Sequence, residues 1–315
     1  MLCAAALPLA SQRRSGAGQE APAAQEAPAA PAAQGAQAAP TPPAAPPPAP
    51  DVPTTTIAGG FQMRGTSLIK YTGTSARVTI PNGVTRIEDG AFYDSRLTGV
   101  TIPEGVTYIG NAAFIGFEAG RTRNQLTSVT IPNSVTEIGK YAFHSNKQLA
   151  SLTLGNGLIT IGEGAFSQNA LTSVTIPNSV KTIGPGAFGA NKLTRITLGN
   201  SVTTIGDGAF DGNVLTGSLV IPDSVTTIGY GAFRNDGITS LTIGKNVTSI
   251  GQQAFAWLNL TSVTIPASVR TIDAGAFDQT NPITSVTFEG DNTKLESQRK
   301  QVQVPNPNPN YPPVQ

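Results

Sequence analysis

Two side-chain types able to do covalent or metal chemistry occur once each in this sequence of 315 residues, as Cys3 and His144. A single cysteine closes no disulfide within the chain, and one Cys with one His cannot make a metal cluster. A Ser-His-Asp triad would have to rest on His144, whose neighbours Phe143 and Ser145 offer neither an activated nucleophile nor a paired acid. His144 is therefore expected as a solvent-facing corner residue. The sequence predicts no catalytic site, no metal site and no cofactor, and the chain is not expected to be an enzyme.

What remains is the chemistry of binding. Thr130, Thr153, Thr175, Thr197, Thr242 and Thr264, with Thr101 and Thr287, recur at one position, and Val220 interrupts them. A serine row runs beside them through Ser128, Ser151, Ser173, Ser218, Ser240, Ser262 and Ser285. Rows of hydroxyls and methyls offer hydrogen bonds and small apolar contacts to a partner, although threonine is also simply a good exposed strand residue. Trp257 falls where the other units carry small or polar residues, so it is expected either to protrude as an interface anchor or to fold inward with Leu258. Tyr108 and Tyr230 replace smaller residues and could extend an aromatic patch. An insertion within IGFEAGRTRNQ brings Phe117, Glu118, Arg121 and Arg123. Insertions in repeat chains are often functional loops, and a tolerated surface loop is the commoner case.

These residues act together only if the chain places them on one face, and the repeat does that. Phe92, Phe114, Phe143, Phe166, Phe188, Phe210, Phe233, Phe255 and Phe277 are spaced 22, 29, 23, 22, 22, 23, 22 and 22 residues apart, each preceded by alanine. One unit reads LTSVTIPNSVKTIGPGAFGAN, residues 171–191. Its V-T-I segment alternates inward and outward, as a strand requires. Proline ends that strand in six units, at 81, 103, 132, 177, 222 and 266, because it cannot donate the next ladder bond. Gly155, Gly199 and Gly244 take its place in others, and from Pro132 to Pro266 the two endings alternate strictly. That alternation points to duplication of pairs of units. No single unit can bury its apolar rows alone, so the units must stack into a solenoid.

The unit L-x-x-V-T-I-P-x-x-V-x-x-I-G-x-x-A-F-x-x-N resembles the BspA-like (treponemal-type) leucine-rich repeat, over residues 78 to 288. The resemblance implies a horseshoe of about nine to ten coils of 22–23 residues with a parallel concave sheet, the usual partner surface. It also implies a bacterial surface antigen that attaches to host matrix proteins or to other microbes. The family often has cysteine three residues after the phenylalanine. Here Asn146, Asn169, Asn191 and Asn213 stand there, and an amide can hydrogen-bond backbone groups at the coil corner.

Composition and the chain ends complete the expectation. Charged residues make up 12% and the net charge is +1, which gives no electrostatic reason to expect nucleic acid or an anionic membrane. No segment has eighteen consecutive apolar residues, so no membrane span is expected. Residues 1–14 read as the hydrophobic core of a secretory signal whose basic start is missing. Residues 15–56 are an Ala/Pro-rich extended linker, 57–77 an N-terminal cap with a hairpin around Gly65, 78–290 the solenoid, and 291–315 a disordered Pro/Asn-rich tail. The function expected is that of an exported or cell-surface binding and adhesion protein for a protein or glycan ligand, with host extracellular matrix as one class. Its alternative is a periplasmic structural or scaffold protein without a host ligand. Self-association stays open.

Overall fold

A computed structural model describes residues 53–118, 121–278 and 283–290, with no side-chain description over 117–122. The expected signal-like segment, most of the linker and the tail therefore lie outside the described residues. The chain winds as a β-solenoid of parallel coils, as its periodicity requires. Each coil contributes two short strands. The first is the V-T-I segment, for example Ser173–Thr175, where a buried valine sits between two exposed hydroxyl residues. The second carries the next isoleucine, for example Thr182–Ile183, with Ile183 fully buried.

The two strand rows pair differently, a feature the periodicity alone does not specify. The second strands join across every coil, from Arg86–Ile87 to Thr271–Ile272, into one twelve-stranded sheet. Its start is an antiparallel arm of Thr55–Ile57, Phe61–Arg64 and Ser67–Tyr71, turning at Gly65. Thr55 and Thr56, assigned to the linker on composition, thus belong to a strand. The V-T-I strands instead pair two by two: Ser128–Thr130 with Ser151–Thr153, Ser173–Thr175 with Arg195–Thr197, and Thr216–Val220 with Gly237–Thr242.

In these three pairs the second coil ends in glycine, whereas Arg77–Thr79 pairs with Gly99–Thr101 and Ser262–Ile265 with Ser285–Phe288 without one. A Cβ on Gly155, Gly199 or Gly244 would lie 2.2 Å from the carbonyl oxygen of Pro132, Pro177 or Pro222 in the coil before. Only glycine permits that approach. The isoleucine before each of these prolines then donates its N–H to a threonine carbonyl of the glycine-ended coil, as from Ile176 to Thr197 at 2.8 Å. A proline coil and the glycine coil after it therefore close as one two-coil unit.

The core is a column of phenylalanine rings. Phe92 to Phe277 stack with neighbouring centroids 4.6 to 5.7 Å apart, and Tyr71 of the antiparallel arm extends the column onto Phe92 at 5.4 Å. The alanine before each ring is buried, because a larger side chain would push adjacent coils apart. Beside the column runs an asparagine ladder. The Asn191 amide donates to the carbonyls of Phe166 and Phe188 at 2.9 and 3.0 Å and accepts from Leu171 N at 3.2 Å. Asn146 and Asn213 repeat the pattern, and it satisfies corner backbone that would otherwise be orphaned. Asn124 takes the same role after the insertion, which therefore loops out between Phe114 and its ladder residue.

Asp236 occupies the ladder slot of the Phe233 coil. Its Oδ1 accepts from Leu215 N at 2.8 Å, and its buried Oδ2 has no partner where the other coils place an amide nitrogen. Burial pushes this carboxyl up from 3.8 to about 8; the Leu215 bond lowers it and Asp211 adds to the rise. One coil later Leu258 fills the slot, fully buried.

Candidate ligand-binding surface

The solenoid carries threonine on both strand rows, and in each row the hydroxyls divide by position. Just ahead of the V-T-I strands, Thr98, Thr194 and Thr284 donate to the carbonyls of Ala76, Thr172 and Thr261 at 3.2, 3.2 and 3.1 Å. The threonines just ahead of the isoleucine strands do the same. Thr203, Thr226 and Thr248 each donate to the carbonyl of the preceding coil, at Lys181, Thr203 and Thr226, all at 3.1 Å. Thr107 and Thr136 do the same at 3.1 Å. On the V-T-I strands, Thr130, Thr153, Thr175, Thr197, Thr242 and Thr264 are exposed, and their hydroxyls have no partner among the described residues. Ser151, Ser173 and Ser240 are exposed in the neighbouring row.

Register keeps these hydroxyls aligned. Thr130 lies opposite Thr153, Thr175 opposite Thr197, and Ser128 opposite Ser151. Paired strands are ~4.8 Å apart, so each pair sets its two threonine hydroxyls at about that spacing. Two kinds of residue interrupt it. Val220 breaks the threonine row at 58% exposure. Arg195 replaces serine opposite Ser173, and Arg77 stands opposite Gly99. Because Gly99 has no side chain, a depression of about 290 Å³ opens there, lined by Arg77, Val78, Thr79, Val100, Thr101 and Ser128.

At the coil corners a second surface forms around Trp257. The residue has a left-handed backbone, φ 57°, like Ser145, Gln168, Ala190 and Asn235 at the same place in earlier coils. Trp257 is 44% exposed, while Leu258 turns in. The two alternatives for this pair are thus divided between them. The Arg234 guanidinium lies 5.6 Å from the Trp257 ring and 5.6 Å from the Tyr230 ring. It is held by Asp211 through two bonds of 3.0 and 2.7 Å, and it donates to Tyr230 Oη at 3.1 Å and to Gln253 Oε1 at 3.2 Å. Tyr230 is 41% exposed and bonds Gln253 at 2.9 Å.

The other sequence candidates separate from this cluster. Tyr108 lies five strands before the Tyr230 coil in the continuous sheet, on the order of 24 Å away, and so does not extend its aromatic patch. It sits half-buried beneath the Arg86 guanidinium at 4.1 Å, and burial, with Asp89 and Glu137, pushes its phenol up to about 12. Arg123 is a correction to its expected place on an open loop. It is 6% exposed, stacks over Tyr93 at 3.3 Å and pairs with Asp94, so it anchors the insertion rather than presenting it. The Arg121 backbone pairs in a short hairpin, Phe117–Glu118 with Arg121–Thr122, and its side chain lies outside the described residues.

Sequence reasoning missed one polar pair. His144 Nδ1 lies 2.6 Å from Ser167 Oγ on the next coil, two residues separated by 23 positions. The Ser167 hydroxyl donates to Gly164 O at 2.9 Å. With that proton committed, Nδ1 is the donor to Oγ and is not poised to take a proton from serine. The equal phase of Phe143+1 and Phe166+1 in the repeat was the available signal. Among the described residues no group of three His, Cys, Asp or Glu could hold a metal ion, and no helix is long and apolar enough to cross a membrane.

With the coil and its surfaces described, its likenesses can be placed. A family model for the BspA type leucine rich repeat region matches in six copies over residues 65–191, 115–237 and 226–299. Among solved structures, the pneumococcal vaccine antigen PcpA covers 72% of this chain at 19% identity and a TM-score of 0.46; the chain spans 66% of that antigen's length. The Treponema pallidum leucine rich repeat protein covers 65% of this chain and 85% of its own at 26% identity, TM-score 0.44. A leucine rich cell surface protein of Faecalibacterium prausnitzii covers 80% and 96% at 23% identity, TM-score 0.37. No curated protein matches.

Proposed function

This chain belongs to the BspA-type leucine-rich repeat family, and on that premise we propose that it is a non-enzymatic exported or cell-surface binding protein. Its ligand is a protein or glycan of host matrix or microbial origin, taken up on the V-T-I face. The observation that carries this reading is the exposed array itself: the threonines within the V-T-I strands stand in register, exposed, with hydroxyls that have no partner among the described residues. The family supplies the class of function, and a fold alone does not.

The test has two stages. Intact cells treated with protease should lose the repeat domain while a periplasmic control protein survives. The purified protein should then retain a ligand from a matrix-protein and glycan panel, and the triple substitution Thr153→Val, Thr175→Val, Thr197→Val should abolish retention without changing the melting temperature. Protection from protease until the envelope is opened would favour the periplasmic scaffold instead. Retention undiminished in the triple variant would remove the V-T-I face from the proposal.

A further inference from the structure

We propose that the Tyr230–Trp257 pair is a clamp for a polyproline-type segment, and that its resident occupant is the chain's own carboxy-terminal run, residues 305–313. This goes beyond the adhesion reading and stands on a different surface. The argument begins with charge. Arg234 is matched by the bidentate bond to Asp211, so the patch gains little from an anionic ligand. What it offers is two exposed rings flanking a guanidinium whose position is fixed by four hydrogen bonds. Rings fixed in this way bind without ordering cost, which favours a rigid apolar partner over a flexible one.

A proline helix is that kind of partner. It has three residues per turn, no internal hydrogen bonds and little conformational freedom left to lose, and its rings dock between aromatic side chains. The chain carries such a sequence, PNPNPNYPP, at 305–313. Trp257 belongs to the coil just before the last anchor phenylalanine, Phe277, so the tail departs close to the clamp. Residues 291–304 can span on the order of 45 Å when extended, against ~5 Å per coil to be retraced. The second proline run, near residues 40–50, precedes Thr55–Ile57, the strand at the opposite end of the sheet order, and would have to close a much longer loop.

Trp257 is the sole tryptophan, so its fluorescence reports this site alone. Acrylamide quenching should be measured on the full chain and on a variant with Pro305, Pro307, Pro309, Pro312 and Pro313 all replaced by alanine. The variant leaves the solenoid untouched. Its quenching constant should rise about twofold as the ring is uncovered, with the melting temperature unchanged. An unaltered constant overturns the proposal. A rise seen only with Pro46→Ala, Pro47→Ala and Pro48→Ala assigns the clamp to the other run and overturns the choice of occupant. A wild-type constant that climbs on dilution means that a second copy supplies the segment, and overturns the intramolecular form. None of these readings depends on whether the V-T-I face binds a ligand.

Discussion

The two strand rows of one coil are built from nearly the same residues and pair differently. The row ending in the buried isoleucine is continuous through nine strands, twelve with the antiparallel arm. The V-T-I row closes two strands at a time. In both rows the threonine just ahead of the strand ties into the coil before, while the threonines within the V-T-I strands stay exposed. Composition does not separate these roles. Where each hydroxyl stands relative to the preceding carbonyl does.

The comparison can be broken at its shared support. Phe188→Ala removes a ring from the column behind both rows and leaves a cavity between coils, costing about 3–5 kcal/mol. Chemical denaturation should then lose its single transition, because a repeat array fails at its weakest interface. Gly199→Ala strikes only the V-T-I row. The added Cβ meets the Pro177 carbonyl at 2.2 Å, and a loss of about 2–3 kcal/mol is expected in urea unfolding. If stability holds, the proline–glycine contact is not what pairs the coils.

Asp236→Asn sharpens the contrast by completing the ladder. The native carboxyl is raised from 3.8 to about 8, so its neutral form is favoured in the fold. Its stabilising contribution is complete below 3.8 and is lost as pH climbs through about 8. The wild-type melting temperature should decline across that window relative to the asparagine variant. At alkaline pH the variant should be more stable by about 1–3 kcal/mol, since a buried unpaired group becomes an amide with two acceptors. Parallel melting curves would show that the Asp236 slot admits water.

The smallest effect separates the two threonine positions, ahead of a strand and within one. Thr203→Val deletes a framework bond and should cost about 0.5–1 kcal/mol. Thr175→Val deletes none and should stay within about 0.5 kcal/mol of wild type. Equal costs would mean that the Thr175 hydroxyl also serves the framework, and would remove it from the ligand-binding face.

Much of this was legible in the sequence because translation along a solenoid turns periodicity into position. The phenylalanine, valine and isoleucine rows declare the coil, and the asparagines at Phe+3 announced a corner bond. The pairing of the V-T-I strands is not legible from Pro177 and Gly199 alone, because the clash lies between a side chain that is absent and a carbonyl one coil away. Arg123 was misplaced for a related reason. The insertion hid that Asn124-Gln125-Leu126 repeats the N-x-L of Asn191-Lys192-Leu193, which sets Arg123 against the corner and not on the loop tip. His144 was judged by its sequence neighbours, whereas its partner Ser167 is a neighbour only in the stack.

The contacts of Gly155, Gly199 and Gly244 with the carbonyls of Pro132, Pro177 and Pro222 also give the middle of the molecule a grammar. From Pro132 to Gly244 each coil ending in proline is followed by one without a Cβ at the matching place, so copies added or removed there by recombination fit when they come as couples. From Phe143 to Phe188 and from Phe188 to Phe233 each couple measures 45 residues. A solenoid spelled this way changes its reach in steps of two coils, and descendants of different length should differ by even numbers of coils.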